Sequence, residues 1–157
     1  MLSIRPATMH DAVLLKTLVH EMAEYDRLGH EASVTAEDLL RDGFGPVPKF
    51  RALIAEWDGQ VAGYAVFFEF YSTFQGCTGL FLDDLFVRPP FRKHGIGRAL
   101  LAHVAGIAAK EKYFCVRWEV LDWNASAIGF YRSIGARPMD EWTVQRLDGA
   151  ALAEFAE

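Results

Sequence analysis

Residues 85–98 read LFVRPPFRKHGIGR and join two different kinds of secondary structure. Before them, the apolar run Leu80 to Val87 predicts a strand, which Pro89 and Pro90 end because proline cannot continue a hydrogen-bonded ladder. After them, apolar residues at helical spacing predict a long helix from about Gly97 to Lys112. The stretch therefore predicts a strand, a glycine-containing turn and a helix in direct succession.

The Gly95-Ile96-Gly97 turn is suited to binding a phosphate. Glycine lets the backbone approach a ligand closely, and the N–H groups at a helix N-terminus attract anions. A dinucleotide fingerprint would need a third glycine where Leu100 stands, and a P-loop would need Lys followed by Ser or Thr where Arg98-Ala99 stand. Both are excluded, although a Gly-x-Gly turn alone is also compatible with a purely steric role.

Periodicity and turn signals predict the remaining elements. Helices are predicted at these places: after Asp11, after the capping-box pattern Thr35–Asp38, and from Ala125 to Ile134 with Gly135 at its end. Strands are predicted at these places: Leu2 to Arg5, Phe50 to Trp57, Val61 to Phe70, Phe114 to Leu121 and Trp142 to Leu147. Asp58-Gly59 marks a hairpin turn. The order predicts an α/β fold with helices on a mixed sheet and some parallel pairing.

The composition indicates one domain over residues 1–157. The chain is 52% hydrophobic and 24% charged, which suffices for an apolar core without disulfides or metal. Cys77 and Cys115 form no CxxC pair and no ligand pattern with the histidines, so two reduced, buried thiols are expected. No apolar run approaches the roughly 20 residues of a membrane span, and the N-terminus lacks a signal-peptide pattern. We therefore expect a cytoplasmic protein with no metal and no membrane partner.

The net charge of −5 is unevenly distributed along the chain. Residues 85–110 contain five Lys or Arg and no acidic residue, whereas both flanks carry an excess of Asp and Glu. The overall charge argues against nucleic acid as the main partner, and the basic segment favours a small polyanionic ligand. A solvated basic helix face would give the same charge pattern.

The pattern Arg92-x-x-Gly95-x-Gly97, directly after an apolar strand, resembles the acyl-CoA signature of the GNAT superfamily of N-acetyltransferases. Further segments resemble its diamine branch, the spermidine/spermine and thialysine N-acetyltransferases: Ile4–Thr8, Asp38–Gly45, Trp123-Asn124, Phe130-Tyr131 and Gly135-Ala136. Val120–Asn124 is more similar to the thialysine-acetylating members. The resemblance covers nearly the whole chain and implies a mixed, mostly antiparallel central sheet flanked by helices, with splayed parallel strands that bind acyl-CoA.

The resemblance also implies where acetyl-CoA, the co-substrate, would bind. The pantetheine arm would lie in the gap between the splayed strands Leu80 to Val87 and Phe114 to Leu121, and the pyrophosphate would lie on the N–H groups of residues 93–98. The implied contacts with the co-substrate are Leu85, Phe86, Val87, Arg92, Lys93, His94, Gly95, Ile96, Gly97, Arg98, Asn124 and Tyr131. The cationic side chains among them would neutralise phosphate charge.

Acetyl transfer to an amine requires a group that removes a proton, because a primary ammonium has a pKa near 10.4. Asp83 and Asp84 interrupt an apolar strand near the implied thioester and would point to opposite faces of a regular strand. The resemblance implies that Asp83, where the spermidine enzymes carry Glu, binds the amine and belongs to the base relay, directly or through water. Asp84 would be a second acidic contact or a structural cap. The shorter Asp leaves spermidine-length specificity open.

Three further residues receive roles from the resemblance. Tyr131 would be the general acid, since a phenol with a pKa near 10 can protonate a departing thiolate. Tyr25-Asp26 resembles a Tyr-Glu pair that binds the polyamine, and an aromatic face with a carboxylate suits an ammonium. On the residues alone, Tyr131 beside Phe130 is more typical of a core position, and Tyr25-Asp26 is equally compatible with an ordinary helix end.

The implied function is an acetyl-CoA-dependent N-acetyltransferase that acts by direct transfer in a ternary complex. Its substrate would be a small cationic amine: a diamine, a polyamine, thialysine or a lysine-like compound. The alternative is an acyl-CoA-binding or sensing module with little catalytic activity, which would need neither Asp83 nor Tyr131. Acetylation of a protein lysine or N-terminus is disfavoured by the match to the diamine branch. A homodimer is expected, with Trp142 to Leu147 as a candidate interface.

Overall fold

The computed structural model describes residues 1–156 and contains a five-stranded sheet in the order β1-β2-β3-β4-β5. The strands are β1 (Leu2–Pro6), β2 (Arg51–Trp57), β3 (Gln60–Ser72), β4 (Cys77–Val87) and β5 (Val116–Arg117). Neighbouring strands are antiparallel except for β4 and β5, which are parallel. The predicted mixed, mostly antiparallel sheet is confirmed.

Four of the five α-helices within residues 1–156 were predicted from periodicity and capping signals. The helices are α1 (Ala12–Tyr25), α2 (Ala36–Phe44), α3 (Ile96–Lys110), α4 (Ala125–Ser133) and α5 (Gly149–Phe155), of which α5 was not predicted. The capping box before α2 is present, because the Thr35 hydroxyl accepts from the Asp38 N–H at 3.1 Å and the Asp38 carboxylate accepts from the Thr35 N–H at 3.0 Å. Asp11 precedes α1, but its carboxylate accepts hydrogen bonds from Arg5 and Thr8.

The chain divides into two compact units, Met1–Glu119 and Val120–Glu157. In the first unit, one core joins α1 and α2 to β2, β3 and β4 through buried residues that include Leu18, Leu39 and Ile54. Helix α3 contacts β2, β3 and β4 and buries Leu100 and Val104. The second unit contains α4 and α5. The expectation of a single domain over residues 1–157 stays a prediction.

The C-terminal strands were predicted wrongly. The predicted strand Phe114 to Leu121 is reduced to the two residues of β5, and Trp142 to Leu147 contains no strand. Isolated strand backbone is unfavourable because its N–H and C=O groups need partners on a neighbouring strand. Residues 142–147 have no such neighbour within residues 1–156, and Trp142 and Val144 are each 70% exposed.

The two cysteines are free thiols, as expected, but they are half-buried rather than buried. Cys77 begins β4 and Cys115 immediately precedes β5, so both lie where strands begin. Within residues 1–156, no helix combines the length and the apolar character needed to cross a membrane.

Candidate active site

The pairing between β4 and β5 ends well before β4 does. Leu80 pairs with Val116 and Phe81 pairs with Arg117, and no further β4–β5 pair forms within residues 1–156. On its other edge, β4 stays paired with β3 as far as Val87. One edge of residues 82–87 therefore faces away from β3 without a strand partner, as the predicted gap beside Leu85, Phe86 and Val87 requires.

Asp83 lies in a β-bulge of β4. Val66 on β3 pairs with Asp84, and the next residue, Phe67, pairs with Leu82, so Asp83 is the additional residue of β4. A bulge of this kind interrupts the alternation of side chains along the strand. The premise of a regular strand, which would separate Asp83 and Asp84 onto opposite faces, is therefore wrong. The negative charge of Asp83 in fact acts on Asp84 and raises its pKa.

Asp84 is held by a buried tyrosine. The Tyr64 hydroxyl donates to Asp84 Oδ2 at 2.9 Å, and Tyr64 is 0% exposed. Burial and the charges of Asp83 and Asp26 raise the pKa of Asp84 to about 6, while the hydrogen bond from Tyr64 acts in the opposite direction. Burial and the nearby Asp84 move the pKa of Tyr64 far above its usual value, so this phenol stays protonated. Asp84 can therefore gain or lose a proton near neutral pH, as a general base must.

Two further carboxylates complete an acidic cluster made of Asp26, Asp83 and Asp84. Asp26 follows the last residue of α1, and partial burial raises its pKa while Arg92 lowers it. Asp83 is exposed to solvent by its surface area, but the surrounding protein still desolvates its carboxylate in part. This desolvation and the charge of Glu119 raise the pKa of Asp83. Unbalanced negative charge of this kind favours a cationic ligand. The structure thus brings together three of the four predicted substrate residues.

The fourth predicted substrate residue, Tyr25, is in contact with Arg92. The guanidinium carbon of Arg92 lies 4.0 Å from the centre of the Tyr25 ring, and Arg92 Nε donates to the Val87 carbonyl at 2.9 Å. One face of Tyr25 is therefore covered by a protein cation, where an ammonium ligand was expected. Arg92 connects the turn before α3 to the end of α1 and to the end of β4.

The glycine turn has the geometry of an anion-binding site. Gly95 precedes α3 with φ +75°, and Lys93 is also left-handed with φ +66°. Successive N–H groups in such a turn form an anion-binding concavity, and the first N–H groups of α3, from Ile96 onward, have no partner within the helix. At Gly97, a Cβ atom would meet only Val87 Cγ2, at 3.6 Å. Packing does not require glycine there, but the close approach of a ligand would.

The basic segment contributes fewer free cations to this turn than its sequence predicted. Arg88 forms two hydrogen bonds of 2.7 Å with Glu21 of α1. Lys110 ends α3, which at about 1.5 Å per residue places it roughly 20 Å from the turn. Lys93 and Arg98 are the exposed cations next to the turn, whereas the His94 ring packs on Trp57 with centroids 4.9 Å apart.

In the second unit, Asn124 and Tyr131 both belong to the region of α4. Asn124 Oδ1 accepts from the Ala127 N–H at 3.2 Å and so caps the start of the helix. Tyr131 is half-buried, with its ring 5.3 Å from that of Phe130. Gly135 adopts φ +87° just after the helix, as its predicted position requires. The implied roles of Asn124 and Tyr131 in acetyl-CoA binding and catalysis remain predictions.

Sequence reasoning missed Tyr64, and it missed the partners of Arg92 and Arg88. A tyrosine in an otherwise apolar strand is one available signal, because a buried phenol needs a hydrogen-bond partner. The identity of that partner depends on the register of β3 against β4, which includes the bulge. No local pattern in the sequence marks that register.

Comparisons with known proteins identify the family of this chain. The model of the Acetyltransferase (GNAT) family matches residues 14–136. The thialysine N-epsilon-acetyltransferase of Mus musculus is 34% identical over 164 residues, covering 98% of this chain and 96% of that protein. The L-ornithine N5-acetyltransferase of Arabidopsis thaliana is 38% identical over 123 residues, which are 78% of this chain and 51% of that protein.

Among solved structures, an integron cassette protein from the mobile metagenome of V. cholerae superposes with a TM-score of 0.83. It is 26% identical, and the match covers 99% of this chain and 98% of that chain.

The chain belongs to the GNAT family of acetyltransferases. The predicted family, the predicted fold class and the prediction of an N-acetyltransferase enzyme are confirmed. Acetyltransferases of this family use acetyl-CoA as the acetyl donor.

Proposed function

We propose that this protein transfers the acetyl group of acetyl-CoA to a primary amine of a small cationic substrate, by direct transfer in a ternary complex. The substrate class comprises diamines, polyamines, thialysine and lysine-like amino acids. One observation carries this proposal: the acidic cluster of Asp26, Asp83 and Asp84 lies at the part of β4 that has no partner on the β5 side. A thioester held along that edge and a cation attracted by the cluster would meet there.

The co-substrate would bind through the backbone of β4 and the turn before α3. Leu85, Phe86 and Val87 offer backbone groups to the pantetheine amides. The N–H groups from Lys93 to Arg98 offer hydrogen bonds to the pyrophosphate, and the exposed side chains of Lys93 and Arg98 offer positive charge. Arg92 is engaged with Tyr25 and with the Val87 carbonyl, so its guanidinium links the two proposed sites.

The acidic cluster would bind the substrate as an ammonium and then remove one of its protons. At pH 7 only about one in several thousand primary amine molecules is neutral, so a base is required. Asp83 is the exposed contact for the amine, and the proton passes to a carboxylate of the cluster. The amine nitrogen then attacks the thioester carbon, the carbon–sulfur bond breaks, the nitrogen releases its second proton to become an amide, and the thiolate takes a proton. On the family resemblance, Tyr131 is assigned as the donor of that proton.

The relatives narrow the substrate class without fixing the amine. The names of the mouse and Arabidopsis proteins specify thialysine and L-ornithine, which are amino acids that carry a side-chain amine. A third relative, from Homo sapiens, is named a spermidine/spermine N(1)-acetyltransferase-like protein and is 31% identical over 163 residues, which are 98% of this chain and 23% of that protein. An amino acid brings a carboxylate that the acidic cluster would repel, whereas a polyamine brings only cations.

The test is the release of free CoA from acetyl-CoA with thialysine, lysine, ornithine, putrescine, spermidine and spermine as acceptors. Turnover with at least one of these amines is expected. Binding of acetyl-CoA without turnover of any cationic amine would contradict the proposal and favour an acyl-CoA-binding or sensing module.

A homodimer is part of the same proposal. Residues Trp142 to Leu147 carry apolar side chains that are largely exposed, including Trp142 and Val144 at 70% each. Exposed aromatic and aliphatic side chains in one segment are typical of an interface. Light scattering coupled to size-exclusion chromatography should give twice the chain mass of 17.6 kDa, and a monomer would contradict the dimer.

A further inference from the structure

Tyr64 brings a hydroxyl group into an apolar core. Its ring is fully buried and packs in a cluster with these residues: Leu15, Leu18, Ile54, Val66 and Phe86. The hydroxyl lies 3.5 Å from Met22 Sδ and donates to Asp84 Oδ2 at 2.9 Å. A phenylalanine would fill nearly the same volume and would bury no polar group. Burying a polar group is unfavourable unless that group is hydrogen-bonded. Packing alone therefore does not explain the hydroxyl.

We propose that Tyr64 is a positioning residue that acts through Asp84: its hydroxyl holds Oδ2 and orients the second carboxylate oxygen, Oδ1, to take the proton of the substrate amine. This inference rests on the proposed function and specifies which carboxylate of the acidic cluster is the base. In the step, an N–H bond of the ammonium breaks and an O–H bond forms at Asp84 Oδ1. The electron pair left on nitrogen forms the bond to the thioester carbon, and Tyr64 keeps its own proton.

The groups around Asp84 explain why this hydrogen bond matters. The neighbouring charges are Asp83 on β4 and Asp26 after α1, and both raise the pKa of Asp84. Glu119 acts on Asp83, and Arg92 acts on Asp26. Tyr64 on β3 is the neighbour that lowers the pKa of Asp84, because its hydrogen bond favours the ionised carboxylate. Without Tyr64, Asp84 would hold its proton to higher pH and would be a less effective base near neutrality.

The variant Tyr64→Phe tests this, because it removes one hydroxyl and keeps the ring. Hydrogen bonds to charged groups contribute about 1.5–3 kcal/mol, so the acidic limb of the kcat/KM profile should move up by about one pH unit or more. The expected loss is about tenfold at pH 6 and small at pH 9, where Asp84 is ionised in both proteins. Acetyl-CoA affinity should not change. An acidic limb at the wild-type position would overturn the proposal.

Tyr113→Phe is the matched control. The Tyr113 hydroxyl also donates to a carboxylate, that of Glu69 on β3. Glu69 is five residues from Tyr64 along the strand, about 17 Å away. This variant loses the same type of hydrogen bond outside the acidic cluster, so its pH profile should match that of the wild type. An equal shift in both variants would show a general effect of losing a tyrosine hydroxyl and would overturn the proposal.

A measurement without turnover separates this inference from the proposed function. Carboxyl 13C NMR of the wild type, with Asp84→Asn used to assign the resonance, reports the pKa of Asp84 directly. That pKa should rise in Tyr64→Phe and stay unchanged in Tyr113→Phe, even if none of the tested amines is a substrate. An unchanged Asp84 pKa in a folded Tyr64→Phe protein would overturn the inference while leaving the proposed function in place.

If Tyr64→Phe folds poorly, the Asp84→Asn background provides the second test. Adding Tyr64→Phe to Asp84→Asn should cause no further fall of kcat/KM at pH 7, since no carboxylate remains for Tyr64 to act on. A further fall of kcat/KM in the double variant would contradict a role through Asp84.

Discussion

In two regions of the molecule a tyrosine hydroxyl donates a hydrogen bond to a carboxylate of the sheet, and the electrostatics of the two regions differ. In the first, Glu69, Glu111 and Tyr113 surround Arg51, which donates to Glu111 at 2.8 Å and 3.3 Å. This hydrogen bonding lowers the pKa of Glu111 and raises that of Arg51. In the second, the acidic cluster, no cation within residues 1–156 is in such contact with Asp84, and burial and like charges raise its pKa.

This difference in electrostatics distinguishes a structural network, around Arg51, from a site suited to a cationic ligand, the acidic cluster. In the Arg51 network each charge has a partner in the chain, so both ionised forms are favoured. In the acidic cluster Arg92 lowers the pKa of Asp26, but no cation within residues 1–156 offsets the burial and like charges that act on Asp84, and a carboxylate in such an environment is typical of a functional site. A cationic amine would supply the positive charge.

The largest expected effect is on catalysis by Asp84→Asn. This change preserves the shape of the side chain and the acceptor for Tyr64 but removes the base, and general base catalysis contributes about 10²–10⁴-fold. We expect kcat/KM at pH 8 to fall by at least about 10²-fold, with acetyl-CoA binding retained. Steady-state release of CoA measures this fall in kcat/KM. The comparison variant Asp83→Asn removes an exposed contact with the amine and should mainly raise the KM for the amine. The reverse ranking would assign the base to Asp83.

A smaller effect is expected from Gly97→Ala in the turn before α3. The added Cβ has room within the protein, since its nearest neighbour is Val87 Cγ2 at 3.6 Å, but it would stand where the pyrophosphate must approach. The affinity for acetyl-CoA should fall by about tenfold, while stability stays equal or rises slightly because alanine favours helix. Calorimetric titration measures the affinity.

Gly106→Ala is the control for this prediction, because Gly106 also lies in α3 with open space around its Cβ position. Equal acetyl-CoA affinities for Gly97→Ala and Gly106→Ala would exclude the turn as the phosphate site.

The variant Asp84→Asn should gain stability while it loses activity. The pKa of about 6 in the folded protein lies above the usual aspartate value, so the folded state binds this proton more tightly than the unfolded state. The corresponding stability is present at pH 4 and is lost as the pH rises through about 6. Asp84→Asn should therefore raise the free energy of unfolding at pH 8 by on the order of 1–3 kcal/mol, with no gain at pH 4. Urea unfolding at the two pH values measures it, and a loss of stability at pH 8 would contradict the account.

The smallest effect is expected in the Arg51 network. Glu111→Gln breaks a largely exposed ion pair, and such pairs contribute about 0.2–1 kcal/mol. We expect a loss of stability in that range, smaller at high salt, and unchanged kcat and KM. A change in catalysis would mean that the two regions are not separate.

The turn, the helices α1 to α4 and the hairpin could be predicted from the sequence because local residues determine them. Pro89 and Pro90 end a strand, Thr35 and Asp38 cap a helix, and Asp58-Gly59 turns a hairpin, each through bonds or dihedrals within a few residues. The glycine turn before α3 could be predicted for the same reason, whereas its role in binding acyl-CoA is implied by the family resemblance and stays a prediction.

The contacts that define the acidic cluster could not be predicted, since they depend on how distant elements meet. The bulge at Asp83 arises from the register of β4 against β3, and it places Asp84 beside Tyr64. The stacking of Arg92 on Tyr25 joins residues that are far apart in the chain. The prediction of a strand from Trp142 to Leu147 was wrong, because a local pattern of apolar residues does not by itself provide a neighbouring strand for hydrogen bonding.

The most direct test of the central claim is the pH dependence of kcat/KM for the best amine of the panel, in the wild type and in Asp84→Asn. If Asp84 is the base, kcat/KM of the wild type falls on the acid side with an apparent pKa near 6, and this acidic limb is lost in Asp84→Asn. A limb at the same pH in both proteins would show that Asp84 is not the group that takes the proton.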